Sequence, residues 1–403
     1  MQQDEWSPRF ETIDWGEVDT SRRVFTPERT VLLLGLVVLA ALYLYDSHVA
    51  HVYIVADWMM RPVDWVFLLG SVILVAYVGV PIVRHRRMAM RVLRKLVTKR
   101  IYAVATGLLG IFAFLGLFGT VLIGSAGLRF EYAWHPPAGV SIPLAGGECL
   151  GETTTGEGIT QYCHGTLSAY QFGANHEGIA MDWIVAAGAR TALYVVVFTV
   201  AFVVPLAFVV GVLAGFRGGL LDDLLMSYVD MQLSIPAIII YFIGYMYWNP
   251  SLLLLLVVFG LLSWGGIARL VRSEVLQRRE AGYVMVSQSL GASWTYVARR
   301  HILPNITNTL IPAVFQLIAL LILVEAGVAF LGFQEAYVYS WGTTIAQGVD
   351  FTQVVGGGRG AIIEPHDYWW VSTFPALALG LTLVAFKLVG DGLRDALDPR
   401  TEY

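Results

Sequence analysis

Charged residues are scarce in this chain. They make up 14% of its 403 residues, whereas hydrophobic residues make up 57% and the mean hydropathy is +0.65. A soluble domain of this size carries nearer to a quarter charged residues. Apolar runs of about 20 residues, long enough to cross the hydrocarbon core of a bilayer as a helix, recur along the chain. The shortage of charge excludes an ordinary soluble enzyme and favours a polytopic membrane protein.

Lysine is almost absent, and this bears on the energy source. The lysines are Lys95, Lys99 and Lys387, and none stands in the Gly-Lys-Ser/Thr setting of a P-loop. His176-Glu177 begins like a zinc-protease helix, but alanine occupies position 180, where the second histidine would stand. We therefore expect a non-catalytic chain without a cofactor of its own, with any ATP hydrolysis in partner subunits.

Cysteine is equally scarce, since Cys149 and Cys163 are the only two. Both fall in one long loop, and outside the cell a disulfide between them would persist. Closing a loop of about fifteen residues is associated with about 3 kcal/mol. A zinc site that includes the adjacent His164 is the less favoured alternative, because no second ligand pair at metal spacing is present. We expect a structural bridge and no metal site.

The apolar runs predict about eight membrane helices. The stretch before Val31 is too polar and too long for a usual signal peptide, so the first run is interpreted as a retained helix. The turn residues Trp248-Asn249-Pro250 separate two adjacent runs. The predicted spans are 30–45, 64–83, 101–124, 190–215, 225–247, 251–271, 309–331 and 371–391.

The basic residues are sorted between alternate loops. Most of them fall on the side of the two termini, with a dense cluster over 84–100, and the exceptions are Arg61, Arg129, Arg190 and Arg359. The positive-inside rule then predicts that both termini are cytoplasmic. A nucleic-acid patch is the disfavoured alternative for 84–100, because this cluster lies between two membrane spans. The loops 125–187 and 332–370 are predicted to be extracellular.

The cytoplasmic loop after the span 251–271 has the pattern of a protruding helix–turn–helix. Residues 281–290 read as a short helix, Gly291 can take the left-handed conformation that ends it, and 293–302 read as a second helix before Pro304. A protein partner would cover its apolar side. A connector that lies on the membrane is the alternative, and the residues alone do not separate the two.

This loop resembles the EAA loop of ABC importer permeases in the dipeptide, oligopeptide and nickel group, C-type. Other segments resemble the same family in the same order, and they cover about 101–403. They are Phe172–Gly178, Gly215–Asp222, Asp230, Pro236, Glu325-Ala326, Phe330–Gly332, Ser340–Gly342, Phe374-Pro375 and Gly390–Arg400.

The resemblance implies the fold and the partners. The fold is an all-α type I ABC importer transmembrane domain, a six-helix core to which residues 30–100 add a two-helix hairpin and a basic connector. The implied partners are a second, B-type permease, two ATPases that bind ATP and magnesium, an extracellular solute-binding protein and membrane lipid, with no nucleic acid. The implied location is the plasma membrane of a prokaryote, and the implied solute is a peptide.

The resemblance also implies a division of the chain and a set of site residues. The chain begins with a cytoplasmic segment, 1–29, which is followed by the hairpin and connector, 30–100. The first core helix and the large extracellular loop occupy 101–185. The permease domain is 186–403, and its coupling loop is 272–308. The residues implied in ATPase coupling are Glu280, Tyr283, Ser287, Gln288, Leu290, Gly291, Ala292 and Ser293. The candidate pathway residues are Gln232, Gln316 and Glu325.

The loop departs from the family pattern in its chemistry. Met285, Val286 and Ser287 occupy the positions of Glu-Ala-Ala, and Gln288 stands where an arginine is common. The shape of a docking surface is therefore expected without its usual ion pairs. A self-standing secondary transporter or channel is the alternative function, although ionisable residues within the spans are few: Asp230, Glu325 and Lys387.

Overall fold

The structure is a computed structural model, and helices dominate it. It describes residues 26–50, 60–124, 127–144, 148–155, 161–167, 170–335, 338–349, 354–355, 361–362 and 365–397. Residues 1–25 of the predicted cytoplasmic segment 1–29 lie outside the described part, and so do the closing residues Asp398, Pro399 and Arg400.

Two long helices and a shorter one form the N-terminal region. They are α1 (Pro27–Val49), α2 (Pro62–Arg84) and α3 (Arg86–Thr98). The Thr26 side chain caps α1 by accepting a hydrogen bond from the Arg29 amide at 3.4 Å, and the Asp64 carboxylate accepts one from the Arg61 amide at 2.8 Å to cap α2. The two predicted spans of the hairpin are thus present, and α3 forms the basic connector.

The core follows as a set of longer helices. They are α4 (Arg100–Ile123), α5 (Met181–Arg217), α6 (Gly219–Ser234), α7 (Ala237–Tyr247), α8 (Leu252–Arg279), α9 (Gly282–Ser289), α10 (Trp294–Val297), α11 (Leu303–Phe330), α12 (Trp341–Val349) and α13 (Trp369–Leu397). Among the described residues 7 helices are long and apolar enough to cross a membrane, and the bent pair α6–α7 makes 8. The predicted architecture of six core helices plus a hairpin is confirmed.

Two predicted spans differ from the structure. The span 225–247 is not one helix, because α6 and α7 meet at 74°. Pro236 has no amide hydrogen to donate and disfavours a helical residue before it, and Ile235 is accordingly extended. The span 190–215 begins earlier, at Met181. Arg190 delayed the predicted start, but its side chain reaches the Tyr194 hydroxyl within the helix.

Prolines elsewhere in the spans leave their helices unbroken. Pro312 lies inside α11 and Pro375 inside α13. Both helices continue because neighbouring helices in a membrane protein can compensate for a missing backbone bond. Only the tertiary environment thus distinguishes Pro236 from these two.

The long loop between α4 and α5 contains a small sheet that the sequence did not predict. Its strands β1 (Ser141–Pro143), β2 (Thr153–Thr155) and β3 (Gln161–His164) pair antiparallel in the order β1-β3-β2. A second pair, β4 (Val354–Val355) and β5 (Ala361–Ile362), lies in the loop before α13. Single 3-10 turns lie at Phe130–Tyr132 and Pro365–Tyr368. The fold is therefore all-α in the membrane, with short strands outside it.

The main core of the bundle forms around α5 and α8. A side chain added at Gly211 would lie 2.5 Å from the Ala268 carbonyl oxygen, and one at Gly215 would lie 2.7 Å from the Val275 side chain. Two glycines four residues apart let the helix backbones approach closely, which is how helices associate in lipid. The C-terminal ends of α5 and α8 are thus held together.

A buried carboxylate attaches the hairpin to the core. Asp64 at the start of α2 is fully buried and accepts a short hydrogen bond from the Tyr194 hydroxyl on α5. Arg61 lies beside the same carboxylate at 3.5 Å and reaches Glu335 at 3.8 Å. Since a buried polar group without a partner is costly, this bond makes the hairpin an integral part of the fold.

Replacing Tyr194 with phenylalanine should loosen the hairpin. The substitution removes the hydroxyl and leaves the Asp64 carboxylate without that donor, so the free energy of unfolding should fall by about 1–3 kcal/mol. Chemical denaturation of the purified protein in detergent measures this. An unchanged stability in Tyr194→Phe would contradict the attachment.

Candidate functional site

The candidate site is the loop formed by α9, the turn at Gly291 and α10, which the charge distribution predicts to be cytoplasmic. Gly291 has φ +82, the left-handed conformation that glycine adopts without strain. The Leu290 amide donates to the Val286 carbonyl at 3.0 Å, and the Ala292 amide donates to the Ser287 carbonyl at 3.0 Å. These bonds close the C-terminal end of α9, so the predicted helix–turn–helix is present.

The loop buries one apolar side and exposes another. Val284 on α9 is fully buried, as are Val297 and Ile302 on the returning segment. These contacts pack α9 against the rest of the loop and leave its opposite side open. The open side presents Tyr283, Val286 and Leu290, which are 44%, 60% and 83% exposed. Because residues three and seven positions apart share a helix face, they form one apolar surface.

The base of the loop is held by charged groups. The Arg272 guanidinium donates two hydrogen bonds, at 2.5 and 2.6 Å, to the Asp222 carboxylate at the start of α6. Arg279 at the end of α8 donates to the Gly215 carbonyl on α5 at 3.1 Å. A two-pronged arginine–carboxylate pair restricts orientation as well as distance. The loop therefore projects from a fixed platform.

The remaining predicted coupling residues surround this apolar surface. Glu280 is exposed beside Arg279, with charged atoms 3.9 Å apart. The Ser287 hydroxyl donates to the Tyr283 carbonyl at 2.8 Å, and Ser293 is exposed and accepts from the Tyr296 amide at 3.3 Å. Ala292 is half-buried. The side chain of Gln288 lies outside the described part.

The predicted pathway residues occupy unlike environments. Gln232 on α6 is buried, and neither atom of its amide has a hydrogen-bond partner among the described residues. Glu325 on α11 is buried against Ser340, which donates to it. Gln316, nine residues before Glu325 on the same helix, is exposed. The structure therefore does not place the three in one common lining.

Sequence reasoning missed an ion pair next to Gln232. The Arg269 guanidinium on α8 forms a short hydrogen bond with the Asp230 carboxylate on α6. Both side chains are largely exposed in the single chain. The signal was present, since both residues fall at the cytoplasmic ends of predicted spans, but their pairing depends on how α6 packs against α8.

The outer loop is bridged by a disulfide. The sulfurs of Cys149 and Cys163 are bonded, and the Cα atoms lie 5.6 Å apart. Both nitrogens of His164 are engaged, with Ser141 at 2.5 Å and Thr154 at 2.8 Å. Both ring nitrogens of His164 are therefore used within the sheet, which argues against the zinc alternative that involved this histidine.

A different histidine, which the sequence did not single out, lies beside the bridge. His135 has a ring nitrogen within 4.8 Å of both cysteine sulfurs. Burial lowers the pKa of His135, which keeps it neutral. Because the disulfide occupies both sulfurs, this group does not form a thiolate metal site in the oxidised protein.

The chain is similar to known permeases over its C-terminal part. Residues 207–403 match the family described as binding-protein-dependent transport system inner membrane component. A peptide permease protein of Brucella ovis is 32% identical over 233 residues, which cover 57% of this chain and 73% of that protein.

Two Bacillus subtilis proteins are also similar. The dipeptide transport system permease protein DppC is 31% identical over 53% of this chain and 63% of its own length. The oligopeptide transport system permease protein OppC is 29% identical over 53% of this chain and 66% of its own length. The chain thus spans just under two thirds of the length of DppC.

The chain is a bundle of membrane-length helices with one protruding loop formed by α9 and α10. This chain belongs to the family of binding-protein-dependent transport system inner membrane components. The predicted resemblance to the dipeptide and oligopeptide permeases is confirmed.

Replacing both Cys149 and Cys163 with serine should lower the stability of the outer loop. The bridge closes a loop with a sequence separation of 14, for which chain entropy gives about 3 kcal/mol. Unfolding monitored in detergent, with and without a thiol reductant, measures the loss. The reductant should destabilise the unmodified chain and leave the double variant unchanged. Labelling of both cysteines in the native, unreduced protein would contradict the bridge.

Proposed function

We propose that this chain is the permease subunit of an ATP-driven ABC importer. It forms half of a translocation pathway, and it is driven by a cytoplasmic ATPase through α9 and Gly291. The single observation that supports this most is the apolar surface of Tyr283, Val286 and Leu290 on a loop that projects away from the bundle. An exposed apolar surface of this kind marks a site of protein contact.

The platform under the loop supports the coupling step. α9 can transmit a movement of the ATPase only if it is firmly connected to the membrane helices. The Arg272–Asp222 pair and the Arg279 contact with Gly215 connect it to α5, α6 and α8 together. A rigid element fixed at both ends converts a displacement into a rearrangement of packed helices.

The partners follow from the same assignment. A second, B-type permease completes the pathway, two ATPases bind ATP and magnesium, and an extracellular binding protein delivers the solute. ATP hydrolysis takes place in those partners, and this chain is non-catalytic. Both termini are cytoplasmic in a prokaryotic plasma membrane, as the distribution of arginine favours. The relatives are dipeptide, oligopeptide and peptide permeases by name, which favours a peptide as the solute.

The replaced residues of the coupling loop predict a particular kind of contact. Where the related loops carry a charged signature, this one presents Met285 and Val286, and both are exposed. The groove of its ATPase partner is therefore expected to be more apolar than is usual. Salt should weaken such a contact little, because apolar burial is not screened by ions.

Gly291→Trp tests the coupling role. No described atom lies within 4 Å of a side chain added at Gly291, so the single chain has room for the indole, which would project into the partner; the φ of +82 adds the same local backbone strain for any non-glycine aliphatic or aromatic residue. Uptake driven by ATP should fall at least tenfold in proteoliposomes that contain the whole complex, while the chain still inserts. Gly291→Ala is the matched control, because alanine carries the backbone strain without the bulk of the indole. It should retain most of the uptake.

Two outcomes would contradict the proposal. Full ATP-driven uptake by Gly291→Trp would show that the loop does not contact an ATPase. Uptake by the purified chain alone, without ATPase, would establish instead a self-standing transporter or channel.

Gln232→Met tests the pathway assignment. The amide of Gln232 has no partner among the described residues, so a methionine of similar size should leave the free energy of unfolding unchanged or raise it by about 1 kcal/mol. If the amide serves the solute or the partner permease, the KM for uptake should rise severalfold. A drop in stability beyond about 2 kcal/mol, with uptake unaltered, would assign the amide a structural role. The exposed Gln316→Met is the control for stability.

A further inference from the structure

Helix α3 carries most of its basic residues on one side and its apolar residues on the other, with Arg86 in the first turn as the exception on the apolar side. At the helical repeat of 100° per residue, Arg87, Arg91 and Arg94 fall on one side together with Lys95. The opposite side is apolar, and it is made of Met88, Ala89, Met90, Val92, Leu93, Leu96 and Val97. A short helix with this division is typical of one that lies in the plane of a membrane surface.

The protein covers only part of the apolar side of α3. Leu96 is buried against α13, where a side chain added at Gly392 would lie 2.5 Å from it. Met90, Leu93 and Val97 remain 50%, 44% and 44% exposed. These three residues lie next to the buried contact of Leu96, so they form an uncovered apolar surface at the edge of the bundle.

A groove runs between α3 and the cytoplasmic end of α2. Its volume is about 750 Å³, and its wall is almost entirely apolar. Pro81, Ile82 and Val83 line it from α2, and Leu393 closes it from α13. Ile82 and Val83 belong to a helix that crosses the membrane, so the groove is continuous with the surface that faces lipid chains.

The position of α3 places both of its sides at the membrane boundary. It begins directly after α2 ends at Arg84 and finishes directly before α4 begins at Arg100. Both neighbouring helices are membrane spans, so neither end of α3 can move far from the surface. The proposed orientation puts this surface on the cytoplasmic side, where anionic lipids attract basic segments.

We propose that α3 and its groove form a binding site for an anionic phospholipid. One hydrocarbon chain occupies the groove beside Leu93, and the phosphate is held by Arg86, which lines the groove, and by Arg87, whose long side chain reaches toward it from the basic side. Guanidinium groups suit this role because they form paired hydrogen bonds to phosphate. A nucleic acid could use the same charges, but it would leave Met90, Val97 and the groove in water.

The bound lipid would also stabilise the attachment of α3 to the permease core. Immediately after α3, the Lys99 ammonium lies 2.8 Å from the Asp395 carboxylate on α13, and the Tyr102 hydroxyl donates to the same carboxylate at 3.1 Å. The hydrogen bond to Asp395 raises the pKa of Lys99. A lipid that spans α2, α3 and α13 therefore links the additional hairpin to the C-terminal helix.

The test is lipid binding by the full chain in nonionic detergent, without any ATPase. A fluorescent phosphatidylglycerol and the matching phosphatidylcholine are the probes. The unmodified chain should prefer phosphatidylglycerol, and the preference should weaken as salt is raised. Arg86→Gln with Arg87→Gln should reduce the affinity for phosphatidylglycerol about 25-fold, at about fivefold per charge.

Two further variants separate this site from non-specific attraction. Arg217→Gln with Arg300→Gln removes two exposed cytoplasmic charges away from α3 and should change the affinity less than twofold. Met90→Ser with Val97→Ser replaces only exposed apolar side chains, so it should fold normally. It should weaken the binding of both lipids equally, because it leaves the arginines in place.

Several results would overturn the site. Equal affinity for the two lipids, an equal loss in the Arg217/Arg300 control, or no change in the α3 variants would each do so. Competition by a short RNA without lipid selectivity would assign the charges to nucleic acid instead. A Tm measurement gives a second readout: added phosphatidylglycerol should raise the Tm of the unmodified chain, and the α3 variants should lose this rise. This test measures lipid binding and not transport. A negative result would therefore leave the proposed transport function unaffected, and a failure of the transport proposal would leave the lipid site unaffected.

Discussion

The close contact between α5 and α8 is the constraint on which the end of the bundle that carries α9 depends. In a bilayer, lipid is as apolar as the helices, so association must come from close van der Waals contact. Gly211 and Gly215 supply it by removing the side chains that would keep the two backbones apart. With the backbones this close, Arg279 can reach the Gly215 carbonyl, and the loop that follows α8 has a fixed starting point.

The additional N-terminal helices are joined to this core by polar contacts at opposite ends. At one end the buried Asp64 meets Tyr194, and at the other Lys99 meets Asp395. Between them the contact is mainly apolar, and α1 has no buried residue of its own along its α-helical part. The hairpin is thus positioned by a few directional bonds, whose strength rises in surroundings of low dielectric constant. Lipid covers the rest.

Exposed apolar residues have two meanings in this structure, and position separates them. On α1 and α2 they face hydrocarbon and need no protein partner. On α9 the same residue types lie on a loop beyond the ends of the membrane-length helices, next to charged residues such as Glu280. Helix α3 lies between these cases, with arginines on one side and an uncovered apolar groove on the other.

The sequence alone determined the number of spans, the family, the turn at Gly291 and the position of the loop, because these depend on local composition and on motifs. It did not determine the break at Pro236, since Pro312 and Pro375 have the same chemistry within unbroken helices. It also did not determine that Asp64 is buried, that Arg269 pairs with Asp230 or that Gln316 is exposed while Gln232 is buried. Each of these depends on which side of a helix faces a neighbour distant in sequence, and only the tertiary packing decides that.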